Sequence, residues 1–215
     1  VDDGAVQERS AGEIAGRPLA LPMLAVHTVG AGGGSIAWSD AGGALRVGPR
    51  SAGADPGPAC YGRGGEEPTV TDANLLLGYL AADSPLAGGV DLDREAAERA
   101  IGELASNLGL DPLDCAEGIR RVAGAEMVRA LRVVTVQRGV DPRSYALLAF
   151  GGAGPLHAVQ IADELGIDTI LCPRASGVLA ALGLVVSQRR RDAQRSVLWS
   201  GDQVTAEAIR AAVAE

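Results

Sequence analysis

Lysine is absent: all 19 basic residues among the 215 are arginine, where a chain of ordinary composition would carry about a dozen lysines. That excludes the phosphate-holding lysine of a Walker loop, a Schiff-base amine and a lysine general base. Aromatics are scarce as well, with two Trp, three Tyr and one Phe. The three cysteines (Cys60, Cys115 and Cys172) lie far apart with no CxxC, so neither a structural zinc site nor a disulfide framework is expected, and a reducing cytoplasm suits them. No apolar run approaches the roughly 18 residues of a membrane span, and no signal peptide is expected. The net charge is −8 and the pI about 4.8. The one basic run, Arg189-Arg190-Arg191, reads as a solvated helix end, which argues against nucleic acid as a partner.

What is present is a globular balance, 47% hydrophobic and 21% charged, with 30 Gly and 11 Pro marking a turn-rich chain. The opening, VDDGAVQERSA, predicts a turn at Asp3-Gly4 between two strands. An extended segment is expected over 21–29, and Ala41-Gly42-Gly43 joins SIAWSD to ALRVGP as a hairpin. Residues 48–71 form a long irregular stretch, and loops of that length in compact domains are usually functional or disordered. Asp72 is the expected cap of a short helix, and Asp91 or Asp93 caps the next. Asp111-Pro112 opens a long helix to about Arg138, stopped by Gly139, with a buried stripe at Leu113, Ala116, Ile119, Ala123, Met127, Ala130, Leu131 and Val134. Beyond Gly139, YALLAF reads as a central strand, PLHAVQIADELGI as a helix, DTILCP as a strand and RASGVLAALGLVVSQRRR as a helical stretch. This βαβα order predicts an α/β domain with a parallel pair.

Two glycine-rich loops are candidates for chemistry. Gly30-Ala31-Gly32-Gly33-Gly34-Ser35 follows an extended segment, and Gly151-Gly152-Ala153-Gly154 joins a strand to a helix N-terminus. There, glycines permit close backbone approach and free amides favour an anion or a polar ring edge; a plain tight turn with close helix packing is the alternative. GGAGPL lacks the third glycine of a dinucleotide fingerprint. His27 and His157 are the only histidines; each is either a metal or substrate contact or a satisfied histidine in the fold. Asp40, Asp55, Asp72 and Glu126 are the nearest carboxylates, with no spacing that dictates a metal site. Asp72 is either a plain cap or a site residue. Cys60 would be a nucleophile only with a base to lower its pKa. Arg50 and Arg63 suit a bidentate grip on a carboxylate or phosphate, or simply face solvent.

The blocks HTVGAGGGSIAW, LRVGPRSAGADPGPACYGRGG, EPTVTDANLLLG, RGVDPR and FGGAGPLHA, in this order, resemble the hydantoinase A, 5-oxoprolinase and acetone carboxylase β-subunit family over about residues 14 to 192. The family is similar to the actin-like (ribonuclease H-like) ATPases, whose two lobes close over a nucleotide. The resemblance therefore implies an α/β fold, an actin-like ATPase lobe with a mixed sheet and an inserted helical region. It divides the chain into antiparallel strands with the first glycine loop (1–50), a long loop and helical insertion (51–140), and a βαβα unit (141–215). Gly151, Gly152, Ala153 and Gly154 match the adenosine loop, and Gly32, Gly33, Gly34 and Ser35 lie where a glycine-containing segment nears the phosphates and ribose. His27, Asp72, His157 and Arg50 remain candidates for substrate or metal.

Both phosphate loops of that superfamily are missing, so the chain reads as a fragment of the second lobe, inactive by itself. The implied activity of the whole protein is ATP-dependent opening of a cyclic amide: ATP with Mg2+ phosphorylates the amide oxygen and makes the carbonyl a better electrophile. A hydantoinase B-type subunit is the implied partner. The alternatives are an ATP-dependent ketone carboxylase subunit and a non-catalytic nucleotide-binding or subunit-docking module.

Overall fold

The computed structural model describes residues 1, 4, 6–14, 16–20, 22–86, 88–189 and 198–214. They fall into two compact units, one formed by residues 1–25 with 187–215 and the other by 26–186. The smaller unit holds two short antiparallel pairs. β1 (Glu8–Arg9) pairs with β4 (Met23–Leu24), and β2 (Gly12–Ile14) pairs with β3 (Arg17–Leu19). Gly16, at φ +75°, takes the left-handed conformation between β2 and β3. Asp3 of the expected first turn lies outside the described residues. The extended segment expected over 21–29 contracts to β4.

In the larger unit, β5 (Ser35–Ser39) and β6 (Leu45–Ser51) form the hairpin expected around Gly42-Gly43. The Asp40 carboxylate accepts from the Gly42 and Ala44 amides and from Arg46 Nε. The Ala44 amide and the Arg46 guanidinium hold its pKa below the usual carboxylate value. Three helices cover this hairpin: α1 (Val70–Leu76), α2 (Arg94–Leu108) and α3 (Pro112–Val134). Asp93 caps α2 through the Ala96 amide, and Asp111 caps α3 with Pro112 in its first turn. Ala37 and Val47 of the hairpin pack in one core with Val70, Ala73, Ile101, Leu104, Cys115, Ala116 and Ile119.

Helix α3 ends at Val134, not Arg138. The β-branched run through Thr135 is a poor helix former, and Thr135 turns its hydroxyl back onto the Leu131 carbonyl at 2.7 Å. A 3-10 turn, Val136–Arg138, then leads to Gly139 at φ +76°. The stripe is buried at Ala116, Ile119 and Ala123, but Leu113 is exposed.

The parallel pair is real but short. β7 (Leu147–Leu148) lies beside β8 (Ile170–Leu171), joined by α4 (Gly154–Leu165), which packs Ile161 and Leu165 against Val128 of α3. YALLAF is not a fully buried central strand, since Leu148 and Phe150 are exposed. A 3-10 turn, Ser176–Val178, precedes α5 (Leu179–Val186), and α6 (Ala206–Ala214) belongs to the smaller unit. Of the basic run, Arg190 and Arg191 lie outside the described residues. No helix among the described residues is long and apolar enough to cross a membrane.

The register of α3 can be checked by two truncations on the same helix. Ile119→Ala should cost about 3 kcal/mol, the usual scale for emptying a buried aliphatic site. Leu113→Ala should stay within about 0.5 kcal/mol, as expected at an exposed position. Urea unfolding of both variants measures the difference.

Candidate functional site

The start of α1 is where distant parts of the larger unit meet. Asp72 does not cap this helix. Thr69 is the N-cap, and its hydroxyl accepts from the Asp72 amide, while Asp72, three residues on, accepts from the Thr69 amide at 2.8 Å. This is a capping box with aspartate in the glutamate position. The Asp72 side chain is fully buried and does more than box the helix. One of its oxygens accepts from the Cys60 amide at 2.7 Å. The other accepts from the Thr69 hydroxyl at 2.7 Å and the Ala59 amide at 3.3 Å. Ala59 and Cys60 belong to a 3-10 turn, Ala59–Tyr61, within the long stretch expected to be irregular, so a carboxylate twelve residues beyond Cys60 fixes its course. The Cys60 carbonyl in turn accepts from the Asp93 amide at 2.8 Å, tying the same loop to the start of α2.

Cys60 is thereby a structural residue and no nucleophile. It is fully buried, and burial, with Asp72 beside it, pushes its thiol pKa far up.

Thr71, on the same turn of α1, holds the first glycine loop. The Gly33 carbonyl accepts both the Thr71 amide and the Thr71 hydroxyl, each at 2.9 Å. Ser35 organises the loop from within: its hydroxyl accepts from the Gly32 amide at 2.9 Å and donates to the Gly30 carbonyl at 3.4 Å. The Gly34 carbonyl accepts from the Ala52 amide. A methyl group on Gly33 would stand 2.8 Å from Thr71 Oγ1 and 3.5 Å from the Ala153 Cβ. Gly33 is thus the point where the two glycine loops meet, and only glycine fits there without displacing Thr71.

The second loop has the complementary character. Gly151 takes φ +83° and donates its amide to the Ser176 carbonyl. A Cβ on Gly152 or Gly154 would meet nothing within 4 Å. Among the described residues no group accepts from the amides of Gly152, Ala153 or Gly154, and no side chain caps α4. The loop therefore offers backbone donors beside open space at the carboxyl end of β7, an arrangement suited to an anion or a polar ring edge.

The remaining candidates separate from this junction in different ways. His157 is fully buried one turn into α4; burial, and the Arg120 guanidinium beside it, lower its pKa and favour the neutral ring. Arg120 lies 4.8 Å over the Tyr79 ring and pairs with Glu117. His27 is exposed, in a part of the expected extended segment that forms no strand. Arg50 is exposed and paired with Glu67; both line an open groove of about 640 Å³ with Asp55, Gly57 and Gly65. Arg63 is exposed. Among the described residues no three His, Cys, Asp or Glu side chains form a group that could hold a metal ion.

Thr69 and Thr71 carry this arrangement and are not among the candidates that the sequence singles out. The Thr69-x-x-Asp72 spacing is the available signal for the first. Nothing local marks Thr71, because Gly33 lies 38 residues away from it.

Asp72→Ala should destabilise the protein by about 3 kcal/mol or more, since it leaves several buried N–H donors unmet. Asp72→Asn should fall between this variant and the native protein, because one acceptor oxygen becomes a donor facing donors. The urea midpoint of each variant measures the loss.

Comparison with known proteins agrees on one family. A family model described as hydantoinase/oxoprolinase matches residues 1–193. Caprolactamase subunit alpha of Pseudomonas jessenii is 49% identical over 175 residues, which are 81% of this chain and 25% of that protein. The crystal structure of the ATP-dependent caprolactamase superposes with a TM-score of 0.73 over 79% of this chain and 25% of that one. 5-Oxoprolinase 1 of Arabidopsis thaliana is 38% identical, over 89% of this chain and 16% of that protein. The nucleotide-free structure of an acetone carboxylase gives a TM-score of 0.77 at 33% identity, over 84% of this chain and 26% of that one. The chain thus spans about a quarter or less of the length of these relatives.

Proposed function

The chain belongs to the hydantoinase/oxoprolinase family, and from that membership we propose that it is the nucleotide-binding second lobe of an ATP-dependent cyclic amidase. In this reading the mixed α/β arrangement is an actin-like ATPase lobe with an inserted helical region. Residues 1–50 contribute the first glycine loop, 51–140 the long loop and helical insertion, and 141–215 the adenosine loop. The observation that carries the reading is the meeting of two glycine loops at Gly33 and Ala153, with free amides and open space on the Gly152 side. The names of the relatives support ATP and a cyclic amide: one is an ATP-dependent caprolactamase and another a 5-oxoprolinase.

The residues present fit the nucleoside end of ATP better than its phosphate chain. Gly151, Gly152, Ala153 and Gly154 would receive the adenosine, while Gly32, Gly33, Gly34 and Ser35 would border the ribose and phosphates. ATP would supply the phosphoryl group that turns an amide oxygen into a leaving group. The chain itself contributes the backbone donors and the wall that keeps the two loops in place. The Mg2+ that accompanies ATP gains no cage from the described residues, because they form no carboxylate cluster. His27, Asp72, His157 and Arg50 do not gather at one point on the loop junction, which favours support over substrate contact for Asp72 and His157. The protein would work in the cytoplasm with a hydantoinase B-type subunit, a partnership consistent with the subunit naming of the caprolactamase relative.

The second reading, a ketone carboxylase subunit, is favoured by the acetone carboxylase superposition. ATP consumption by the full-length protein with its partner subunit, assayed with lactams, 5-oxoproline and hydantoin against ketones plus bicarbonate, separates the two. Turnover with a cyclic amide supports the amidase; turnover only with a ketone and bicarbonate overturns it. The 215-residue chain alone should show no Mg2+-dependent ATP hydrolysis.

Gly152→Val tests the loop itself. Its φ is not in the left-handed region and a Cβ there meets open space, so the free energy of urea unfolding should stay within about 0.5 kcal/mol of native. Calorimetric affinity for ATP in the full-length protein should fall by about tenfold or more, the scale of a blocked contact worth at least about 1.4 kcal/mol. Native affinity in this variant would remove the adenosine-loop assignment.

A further inference from the structure

Asn74 and His157 are fully buried, and among the described residues every polar atom of both side chains is without a hydrogen-bond partner: the carboxamide oxygen and nitrogen of Asn74, and both ring nitrogens of His157. Native proteins rarely leave such groups unsatisfied, because each then bears its full desolvation cost. Their places in the fold are related. Asn74 lies three residues after Thr71 on α1, and His157 lies four residues after Ala153 at the start of α4, so each is one helical turn beyond a residue that abuts Gly33. The two orphaned side chains therefore follow, on their own helices, from the one point where the glycine loops meet.

Their chemistry is complementary. A neutral imidazole has one donor and one acceptor, and a carboxamide has two donors and one acceptor. Neither side chain carries a charge in these forms, so the pair suits a small neutral group that both donates and accepts; the Arg120 guanidinium beside His157 opposes a metal cation there, and among the described residues no cluster of His, Cys, Asp or Glu would complete its ligand set. Water is the smallest group of that kind, and buried waters typically satisfy such otherwise orphaned polar atoms.

We propose that Asn74 and His157 form a buried polar seat for one water-sized neutral group, and that this seat fixes Gly33 against Ala153. Both are then positioning residues for the two loops; neither touches the nucleotide. Their effect on nucleotide affinity rests on the reading of these loops as an ATP site, whereas their effect on the loops does not.

The test uses the full-length protein with Asn74→Leu, His157→Leu, the double variant, and His157→Gln, which keeps a donor and an acceptor. Two quantities are read: hydrogen exchange of the peptides holding residues 30–35 and 151–154, and ATP affinity. Each single leucine variant should speed exchange in both peptides, including the one on the helix not mutated. Each should also weaken ATP binding about tenfold, the scale of one buried polar group left unmet. The double variant should be no worse than either single variant, and His157→Gln should stay within about threefold of native. Native exchange in both peptides for the single variants, or losses that simply add in the double variant, would overturn the seat. If a leucine variant does not fold, His157→Gln alone decides: exchange at residues 30–35 close to native supports the seat, and exchange as fast as in an unfolded chain refutes it. Failure of even the native protein to bind ATP, with exchange coupled as described, would sink the nucleotide reading and leave the seat standing.

Discussion

The first turn of α1 is the constraint on which the larger unit depends. Within four residues, Thr69 closes the helix end, Thr71 holds Gly33 of the first glycine loop, and Asp72 gathers backbone donors from the long loop. A fully buried carboxylate without a cation is costly unless hydrogen bonds replace its hydration. Here three amides and one hydroxyl do so, and the positive end of the helix adds to them. The consequence is geometric: residues 59–60 cannot move away from residue 72 without exposing a buried charge. A loop rich in proline and glycine therefore runs along a fixed course.

That fixed course matters because the helix carrying the carboxylate also positions Gly33. The close approach of Gly33 to Ala153 brings together segments 120 positions apart in the chain, one bonded to α1 and the other opening α4. Helix α3 spans the interval, with Val70 and Ala73 of α1 in its main core and Ile161 and Leu165 of α4 at its far end. The proposed function depends on this rigidity. A backbone-built binding face needs its amides held in place, and neither loop has side chains of its own that would do so, beyond the hydroxyl of Ser35.

Much of this is legible in the residues. The Ala41-Gly42-Gly43 hairpin, the caps at Asp93 and Asp111 and the strand–glycine–helix passage through residue 154 all rest on local rules, and those rules hold where the deciding partners are neighbours in the chain. The misreadings share an opposite cause. Asp72 looks like a helix cap because aspartate before an apolar run usually is one; the donors that claim it from the long loop are twelve and thirteen residues away. Leu113 continues the stripe in spacing but lies where α3 has not yet reached the core. YALLAF reads as a buried strand, yet two of its large apolar residues stay exposed. Asn74 and His157 cannot be singled out as a pair from the sequence, since their full burial without hydrogen-bond partners is a property of the tertiary fold.

Whether two glycine loops, distant in sequence, form one nucleotide face fixed by α1 is the central question. Hydrogen exchange of the full-length protein with and without an ATP analogue tests it most directly. Peptides covering residues 30–35 and 151–154 should slow together on binding, with residues 70–72 already slow in both states. Protection confined to one loop, or located elsewhere in the chain, would contradict a shared face.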